Sequence, residues 1–248
     1  MTTRPAALVT GAGSGIGLAV ATRLAADGAS VLAADLEPAP DGPGTPFKAD
    51  LSTREGNQAA VQAAMEEFGR LDVVVANAGF QHVSPIADFD EDRWDALLAI
   101  LLTSPFLLAK HAWSALSAAP AGGRFIAIAS AHALTASPYK AGYVAAKHGV
   151  LGLVKTLALE GAEVGITATA VCPGYVRTPL VEKQIAAQAR LHGLPEHRVI
   201  EDILLAPQAV KRLIEPAEVA DVVAFLAGPG GRSFTGVPVT MDQGWTAR

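Results

Sequence analysis

Short apolar runs alternate with longer segments of helical periodicity from one end of the chain to the other, and few folds satisfy that pattern. The predicted strands lie at residues 6–10, 30–34, 71–76, 123–129, 166–171 and 237–241, with a weaker signal at 47–49. The predicted helices between them include residues 53–68, 90–117 and 216–227. Elements in this order form βαβ units, which give parallel strands and right-handed crossovers. We therefore predict an α/β fold with a doubly wound parallel sheet and helices on both faces.

Length and composition indicate a single domain. With 248 residues and 50% hydrophobic content, the chain can bury one large core, so residues 1–248 are interpreted as one domain. The stretch 180–213 follows a predicted strand and is helical in pattern, although Gly193, Pro195 and Pro207 interrupt it. Open α/β sheets bind ligands on that side, which makes the stretch a candidate substrate lid. An ordinary pair of surface helices fits the same pattern equally well.

Charge, cysteine content and hydropathy argue against several classes of partner. The formal net charge of −5 gives no reason to expect binding to nucleic acid or to an anionic membrane. The single cysteine excludes an intramolecular disulfide framework and does not suggest a metal site. No signal-peptide pattern opens the sequence, and the most apolar span, residues 96–109, is short for a bilayer. We expect a cytoplasmic protein without a metal.

A glycine-rich segment joins the first predicted strand to the first helix. Residues 10–17 read T-G-A-G-S-G-I-G. Glycines at such a turn let the backbone approach a pyrophosphate, and the N-terminus of the helix supplies free N–H groups. The predicted cofactor contacts here are Gly11, Ser14, Gly15, Ile16 and Gly17. Asp35 ends the next strand, where a carboxylate can bind an adenosine ribose and repel a 2′-phosphate, so NAD is favoured over NADP.

Two further short segments are candidate cofactor contacts. Asn77, Ala78 and Gly79 close the strand at 71–76, where glycine permits close approach of a ligand, although such turns are also common without one. Asp50 follows the weak strand signal. It has two interpretations, an acid at a helix N-terminus or a contact to the adenine amino group. The sequence leaves both open.

The stretch 130–147 combines hydroxyl, imidazole, phenol and ammonium groups in an otherwise apolar or small setting. Ser130 follows the strand at 123–129, and extended backbone would turn His132 to the same side. A phenol such as that of Tyr143 has an ordinary pKa of about 10, so it needs a nearby cation to act as a base near neutral pH. Lys147 supplies that cation. Ser130 can then hydrogen-bond a reacting oxygen on which charge develops.

Spacing predicts how these groups share a helix. Lys140, Tyr143 and Lys147 recur at i, i+3 and i+7 and would therefore lie on one helix face. Ser137 and Pro138 are predicted to open that helix as N-cap and first helical residue. A strand-end serine, a loop histidine and helix-borne tyrosine and lysine would thus converge on one place.

Together these motifs resemble the short-chain dehydrogenases/reductases over the whole chain. The T-G-x-x-x-G-I-G and N-A-G patterns match residues 10–17 and 77–79, and the family's catalytic residues match Ser130, Tyr143 and Lys147. The P-G…T element covers 173–178. Further cofactor contacts implied by the resemblance are Pro173, Gly174, Val176 and Thr178, together with Tyr143 and Lys147. The resemblance also implies a Rossmann-type sheet, hydride transfer between a nicotinamide and a secondary alcohol or ketone, and a tetramer.

A narrower resemblance is to the bacterial 3-hydroxybutyrate dehydrogenases. It is carried by A-S-A-H at 129–132, Y-V-A-A-K-H-G at 143–149, T-P-L-V-E-K-Q at 178–184 and G-W-T-A-R at 244–248. In that family a Gln, a His, a Lys and a second Gln hold the substrate carboxylate. The corresponding residues here are Gln81, His132, Lys140 and Gln184. One cation among neutral donors suits a small monoanionic hydroxy acid.

The chain departs from the wider family at Leu101. The family carries an Asn in the long helix before the serine strand, and alignment from Trp94 puts Leu101 in its place. In the family, a backbone carbonyl there holds a water that links the catalytic Lys to solvent. A Leu would keep that relay and lose the side-chain anchor, and Pro105 supports an irregular helix at this point. The departure concerns the proton relay and leaves the Ser/Tyr/Lys chemistry in place.

We predict reversible NAD-dependent oxidation of (R)-3-hydroxybutyrate to acetoacetate. Tyr143 is the predicted general acid/base, Ser130 binds the reacting oxygen, and Lys147 positions the nicotinamide ribose and lowers the pKa of the phenol. Closure of the lid would bring Gln184 to the substrate. Alternatives are a 3-oxoacyl thioester reductase, another short-chain or sugar alcohol dehydrogenase, and a non-catalytic NAD-binding scaffold.

Overall fold

Seven parallel strands form one sheet in a computed structural model that describes residues 4–247. The strands are β1 (Ala6–Thr10), β2 (Ser30–Asp35), β3 (Thr45–Lys48), β4 (Val73–Ala76), β5 (Gly123–Ile128), β6 (Ile166–Pro173) and β7 (Pro238–Met241). Their spatial order is β3-β2-β1-β4-β5-β6-β7, so the chain reverses direction across the sheet between β3 and β4. The predicted doubly wound parallel sheet is confirmed.

Helices cover both faces of the sheet. They are α1 (Gly15–Ala26), α2 (Arg54–Phe68), α3 (Glu91–Leu98), α4 (Ser104–Ser117), α5 (Ala141–Gly161), α6 (Pro179–His192), α7 (Glu196–Val199) and α8 (Pro216–Ala227). Leu8 of β1 packs into a core with α2, α4 and α5, whereas its neighbour Val9 packs into a second core with α1 and α8. Successive side chains of a strand point to opposite faces, so a strand covered on both faces must be apolar throughout.

Local capping signals set several helix ends where the sequence predicts them. The Thr53 hydroxyl accepts a hydrogen bond from the Gly56 amide at 3.0 Å at the start of α2. Gly69 ends that helix with φ 68°, a left-handed conformation that favours glycine. The carboxylate of Asp90 caps α3 in the same way that Thr53 caps α2.

The helix that precedes β5 is continuous but changes its winding. Between α3 and α4, Ala99–Thr103 form a π-helical turn, and Pro105 lies immediately beyond it. The predicted irregularity is therefore confirmed. By length and apolar composition, Glu91–Ser117 is the kind of helix that can cross a bilayer. Here it is a core helix, because α4 packs against α2, β4 and β5.

The candidate lid contains α6, α7 and a second π-helical turn, Ile200–Leu204, followed by an irregular segment. It has a small apolar cluster of its own, formed by Val181, Ile185, Val199 and Leu204. The stretch is therefore a packed helical unit placed directly after β6 and not a loose connection.

Candidate active site

A cleft of about 400 Å³ opens at the carboxyl ends of the strands. It lies beside the point where strand order reverses between β1 and β4, which is where open α/β sheets bind ligands. Its walls contain every site residue that the sequence predicts except Gly17 and Asp50. The fold thus brings together candidates from the whole length of the chain.

The glycine-rich turn is closely packed against the end of β4. Gly11 and Gly15 have φ values of 67° and 54°, which favour glycine. A Cβ at Gly17 would lie 2.0 Å from the Gly11 carbonyl oxygen, so Gly17 supports the turn from beneath and does not face the cleft. The Asn77 side chain donates to the carbonyl oxygens of Thr10 and Gly11 at 2.9 and 3.2 Å. These contacts hold the backbone of the turn open toward the cleft.

Two acidic side chains near the turn differ in where their carboxylates lie. Asp35 lines the cleft and accepts hydrogen bonds from the backbone amides of Gly13 at 2.8 Å and Glu37 at 3.0 Å. Asp50 instead accepts from the amide and the hydroxyl of Ser52, at 2.9 and 2.6 Å. The structure therefore favours the helix-start interpretation of Asp50 and leaves Asp35 as the acid that faces a ligand.

The segment after β6 forms another wall of the cleft. Pro173, Gly174, Val176 and Thr178 all line it. The Thr178 hydroxyl accepts from the Val181 amide at 3.3 Å and so caps α6. This segment also approaches the glycine-rich turn closely, since a Cβ at Gly15 would lie 3.1 Å from Cγ2 of Thr178.

Ser130, Tyr143 and Lys147 meet on the floor of the cleft. β5 ends just before Ser130, and α5 presents Tyr143 and Lys147 on successive turns. Ser130 lies near enough to the Tyr143 phenol to lower its pKa. The Lys147 ammonium lies 5.6 Å from the centre of the Tyr143 ring and donates to the Ile128 carbonyl oxygen at 2.6 Å. The predicted convergence of a strand-end serine with a helix-borne pair is what the structure contains.

Burial is the largest influence on the pKa values of Tyr143 and Lys147. It raises the pKa of Tyr143, and the influence of Ser130, which acts in the opposite direction, is the smaller effect. Burial also lowers the pKa of Lys147 to about 8. The protein's own groups therefore shift the phenol pKa upward on balance. The lowering of that pKa by Lys147 stays a prediction.

Lys140 reaches the cleft from the end of α5 and not from its face. The helix begins at Ala141, so the predicted start at Ser137 is wrong and Lys140 is the N-cap residue. Tyr139, directly before it, has φ 67° and turns the chain inward. The Lys140 ammonium donates to the Tyr175 hydroxyl at 3.0 Å, and the residue is only 4% exposed. Burial lowers its pKa to about 8.

Two glutamines from distant parts of the chain meet in the cleft. The amide nitrogen of Gln184, on α6, donates to the side-chain oxygen of Gln81. The other two amide atoms, Nε2 of Gln81 and Oε1 of Gln184, are buried without a hydrogen-bond partner among residues 4–247. Buried polar atoms are nearly always paired, so this arrangement points to a ligand that supplies the missing partners.

His132 lies between two hydroxyl groups. Its backbone forms a 3-10 turn, so the expected extended geometry is wrong, although the ring does reach Ser130. Nδ1 lies 3.4 Å from the Ser130 hydroxyl, and Nε2 lies 2.9 Å from the Ser137 hydroxyl. Burial, followed by the charge of Lys140, lowers the pKa of His132 to about 3, so the ring is neutral near pH 7.

Two aromatic residues of the site were missed by the sequence analysis. Tyr175 and Trp245 stack with ring centres 5.5 Å apart, and Trp245 also meets the His132 ring edge-on at 5.0 Å. Tyr175 accepts the Lys140 hydrogen bond, and burial raises its pKa to about 12, so it stays a neutral phenol. Tyr175 lies inside the P-G…T element and Trp245 inside G-W-T-A-R, and that context is the signal that could have identified them.

Leu101 gives the cleft an apolar side where the family carries an amide. It lies in the π-helical turn, is 2% exposed and lines the cleft. A Cβ at Gly79 would lie 2.4 Å from its Cδ2 atom, so the leucine packs directly over the N-A-G turn. Leu97 and Ala146 complete a small apolar cluster against which Tyr143 packs.

The residues present fit a nicotinamide dinucleotide. The turn at 10–17 leads into the N-terminus of α1, whose free backbone N–H groups suit a pyrophosphate, and Gly11, Ser14, Gly15 and Ile16 line the cleft there. Asp35 lies on the wall of the same cleft as Ser130, Tyr143 and Lys147. An elongated ligand with a ribose at one end and a reactive ring at the other matches this distribution of groups.

Comparison with known proteins gives the same family. A family model described as Enoyl-(Acyl carrier protein) reductase matches residues 11–246. The D-beta-hydroxybutyrate dehydrogenases of Rhizobium meliloti and Cupriavidus necator are 43% and 41% identical to this chain, each match covering 98% of both proteins. The ligand-free structure of Thermoplasma acidophilum aldohexose dehydrogenase superposes with a TM-score of 0.91 at 28% identity, over 99% of this chain and 95% of that one. The chain therefore belongs to the short-chain dehydrogenase/reductase family, as an oxidoreductase that acts on the CH–OH group of a small molecule with a nicotinamide cofactor.

Proposed function

We propose that the protein oxidises (R)-3-hydroxybutyrate to acetoacetate, reversibly, with NAD. The observation that carries the proposal is the buried ammonium of Lys140 in the cleft that holds Ser130, Tyr143 and Lys147. A buried cation calls for an anionic partner, and a small hydroxy acid can place its carboxylate there while its hydroxyl carbon faces Tyr143. The names of the two relatives at 43% and 41% identity support this substrate.

The carboxylate would be held by one charge and several neutral groups. Lys140 supplies the charge, and the unpaired Gln81 amide nitrogen supplies a donor. Gln184 fixes the orientation of Gln81 through their mutual hydrogen bond. His132 completes the set by bordering the same space and holding Ser130 in place.

The reaction assigns a distinct task to each residue on the floor of the cleft. When bound, NAD would supply the acceptor for the hydride that leaves the alcohol carbon. Tyr143 takes the hydroxyl proton as that C–H bond breaks, and Ser130 donates a hydrogen bond to the same oxygen. Lys147, which is protonated below a pKa of about 8, places positive charge beside the phenol and offsets part of its raised pKa.

Asp35 supports NAD over NADP. Its carboxylate is already fixed by the amides of Gly13 and Glu37 and faces the cleft. A ribose can donate its 2′-hydroxyl to a carboxylate in this place, whereas a 2′-phosphate would be repelled by it. Leu36, the next residue along the cleft wall, provides no positive charge.

We further propose that residues 1–248 act as one domain with 180–213 as a lid, in a cytoplasmic homotetramer. The separate apolar cluster of the lid and the place of Gln184 in the cleft support the lid. Leu159 on α5 and Phe106 on α4 are 80% and 46% exposed, and large exposed apolar residues on long helices suit subunit contacts.

A substrate panel tests the proposal. Purified protein is assayed with (R)- and (S)-3-hydroxybutyrate, the methyl ester of the (R) acid, its thioester and a sugar alcohol, each with NAD and with NADP. We expect the (R) acid with NAD to give the highest kcat/KM, and Tyr143→Phe to abolish turnover. Faster turnover of the thioester or the sugar alcohol would contradict the assigned substrate. NAD binding without turnover of any compound would indicate a scaffold.

A further inference from the structure

A second cavity lies on the other side of the wall that contains Lys140. Its volume, about 360 Å³, is close to the 400 Å³ of the cleft, and the two spaces share Lys140, Tyr175 and Trp245. Pro138 lines the second cavity, is exposed at the protein surface and does not line the cleft. A small molecule can therefore enter this cavity from the solvent without passing the cofactor or the substrate.

The Lys140 ammonium has hydrogen-bonding capacity that the protein leaves unused. An ammonium group has three N–H donors, and the Tyr175 hydroxyl, 3.0 Å away, accepts from one of them. The Tyr175 ring, whose centre is 5.1 Å from the ammonium, adds a cation–π contact. Within residues 4–247, no carboxylate forms an ion pair with this ammonium.

Burial makes this missing charge partner costly. Lys140 is 4% exposed, so bulk water solvates its charge poorly. Its lowered pKa of about 8 still leaves the ammonium protonated near neutral pH. Because Lys140 lines both spaces, an anion on either side of the wall would stabilise the charge.

The lining of the second cavity favours an organic anion with one negative charge. Among the lining residues that the structure describes, Lys140 alone is charged, so it balances a single negative charge. Ser137 and Gln188 contribute a hydroxyl and an amide, which can hydrogen-bond a carboxylate. The other lining residues are apolar or aromatic: Val83, Ala136, Pro138, Tyr139, Tyr175, Ile203, Pro207 and Trp245. A short hydrocarbon chain suits these walls, whereas the higher charge of inorganic phosphate does not.

We propose that the second cavity binds a small organic carboxylate, which shares the Lys140 ammonium with the substrate. The proposal rests on the function proposed above, in which the same ammonium holds the substrate carboxylate from the cleft. Two carboxylates on opposite sides of one ammonium repel each other, so each weakens the binding of the other. Such coupling is reciprocal. Short-chain acids that cannot be oxidised would therefore lower the affinity of the enzyme for its substrate without entering the cleft.

Binding of butyrate tests the second site directly. Butyrate has the carboxylate and the chain length of the proposed substrate but no hydroxyl, so it can occupy both spaces without being oxidised. Equilibrium dialysis of the full-length protein with carbon-14 butyrate, at saturating NAD and constant ionic strength, counts the molecules bound per chain. We expect two for the wild type and one for Val83→Phe, in which a larger side chain fills part of the second cavity. Val164→Phe, at an exposed position that lines neither space, is the matched control and should bind two.

Two polar substitutions test the groups that hold the carboxylate. Lys140→Met should weaken butyrate binding at both sites at least about tenfold, because each site loses a hydrogen bond to a charged group. Gln188→Leu removes an amide of similar size from the second cavity only, and should weaken that site about two- to tenfold. It adds no bulk, so unchanged affinity at both sites in Gln188→Leu would contradict the assigned contact. Second-site binding that survives Lys140→Met would overturn the shared ammonium.

Kinetics measure the coupling between the two sites. Butyrate should raise the KM for (R)-3-hydroxybutyrate in Val83→Phe through competition in the cleft alone. The rise should be steeper in the wild type, where the second site contributes as well. Equal slopes would overturn the coupling.

The binding counts separate this inference from the proposed function. Equal counts for the wild type and Val83→Phe would overturn the second site and indicate a cavity that holds only water. One molecule per wild-type chain and none in Val83→Phe, with no turnover of (R)-3-hydroxybutyrate, would refute the proposed function and support the second site. Tighter binding of inorganic phosphate than of butyrate in this cavity would overturn the assigned class of ligand.

Discussion

Replacing Lys140 with methionine removes the charge that we expect to select the substrate while keeping the length of the side chain. A hydrogen bond between charged groups contributes about 1.5–3 kcal/mol. Since about 1.4 kcal/mol is a factor of ten, Lys140→Met should lower kcat/KM for (R)-3-hydroxybutyrate about 10- to 150-fold. The Lys140 ammonium is buried against the Tyr175 hydroxyl, so the substitution also removes a desolvated charge, and we expect little loss of thermal stability.

The assay compares the acid with its neutral methyl ester. Lys140→Met should reduce kcat/KM for the acid and leave that for the ester nearly unchanged. Lys155→Met, an exposed lysine of the same helix, is the matched control and should change neither. Equal losses for acid and ester would mean that Lys140 supports the fold of the site and does not bind the carboxylate, and this reasoning would be refuted.

Three further predictions concern the same cleft. Burial lowers the Lys140 pKa to about 8, so the ammonium loses its charge above that pH. The wild-type KM for the acid should therefore rise above pH 8, while the KM of Lys140→Met should not change with pH. Parallel KM–pH profiles for the two proteins would contradict this. Asp35→Asn keeps an acceptor for the Gly13 amide but removes the negative charge. The ratio of kcat/KM with NADP to kcat/KM with NAD should rise about tenfold or more, which corresponds to a loss of about 1.4 kcal/mol of discrimination. An unchanged ratio would contradict the role of Asp35. Gly17→Ala places a Cβ 2.0 Å from the Gly11 carbonyl oxygen. The free energy of unfolding, measured with urea, should therefore fall by about 1–3 kcal/mol. A variant as stable as the wild type would contradict the close packing at Gly17.

The elements that the sequence predicts well are those with strong local signals. Periodicity and capping residues locate α2 and α8 within a residue, because Thr53 and Pro216 act on the backbone directly beside them. The glycine-rich turn and Asp35 are likewise recognisable because their spacing to β1 and β2 is short. For these parts, the sequence contains the whole physical cause of the structure.

The rest depends on contacts between distant residues. Ser137 and Pro138 are good helix-start residues, yet α5 begins only at Ala141, with Lys140 buried against Tyr175. The stacking of Tyr175 on Trp245 joins positions far apart in the chain, so no local pattern indicates it. The upward pKa shift of Tyr143 is set by burial, which spacing to Lys147 does not reveal.

Under the proposed function, substrate choice also depends on Tyr139, which does not line the cleft. Its side chain is 50% exposed, while its backbone, at φ 67°, directs the next residue into the cleft and is held there by a hydrogen bond from the Ser84 amide to its carbonyl oxygen. A left-handed tyrosine is strained by about 1–3 kcal/mol, which the surrounding contacts must offset. Redesign of the enzyme for neutral or larger alcohols would therefore have to reshape the surface loop before α5 as well as the side chains of the cleft.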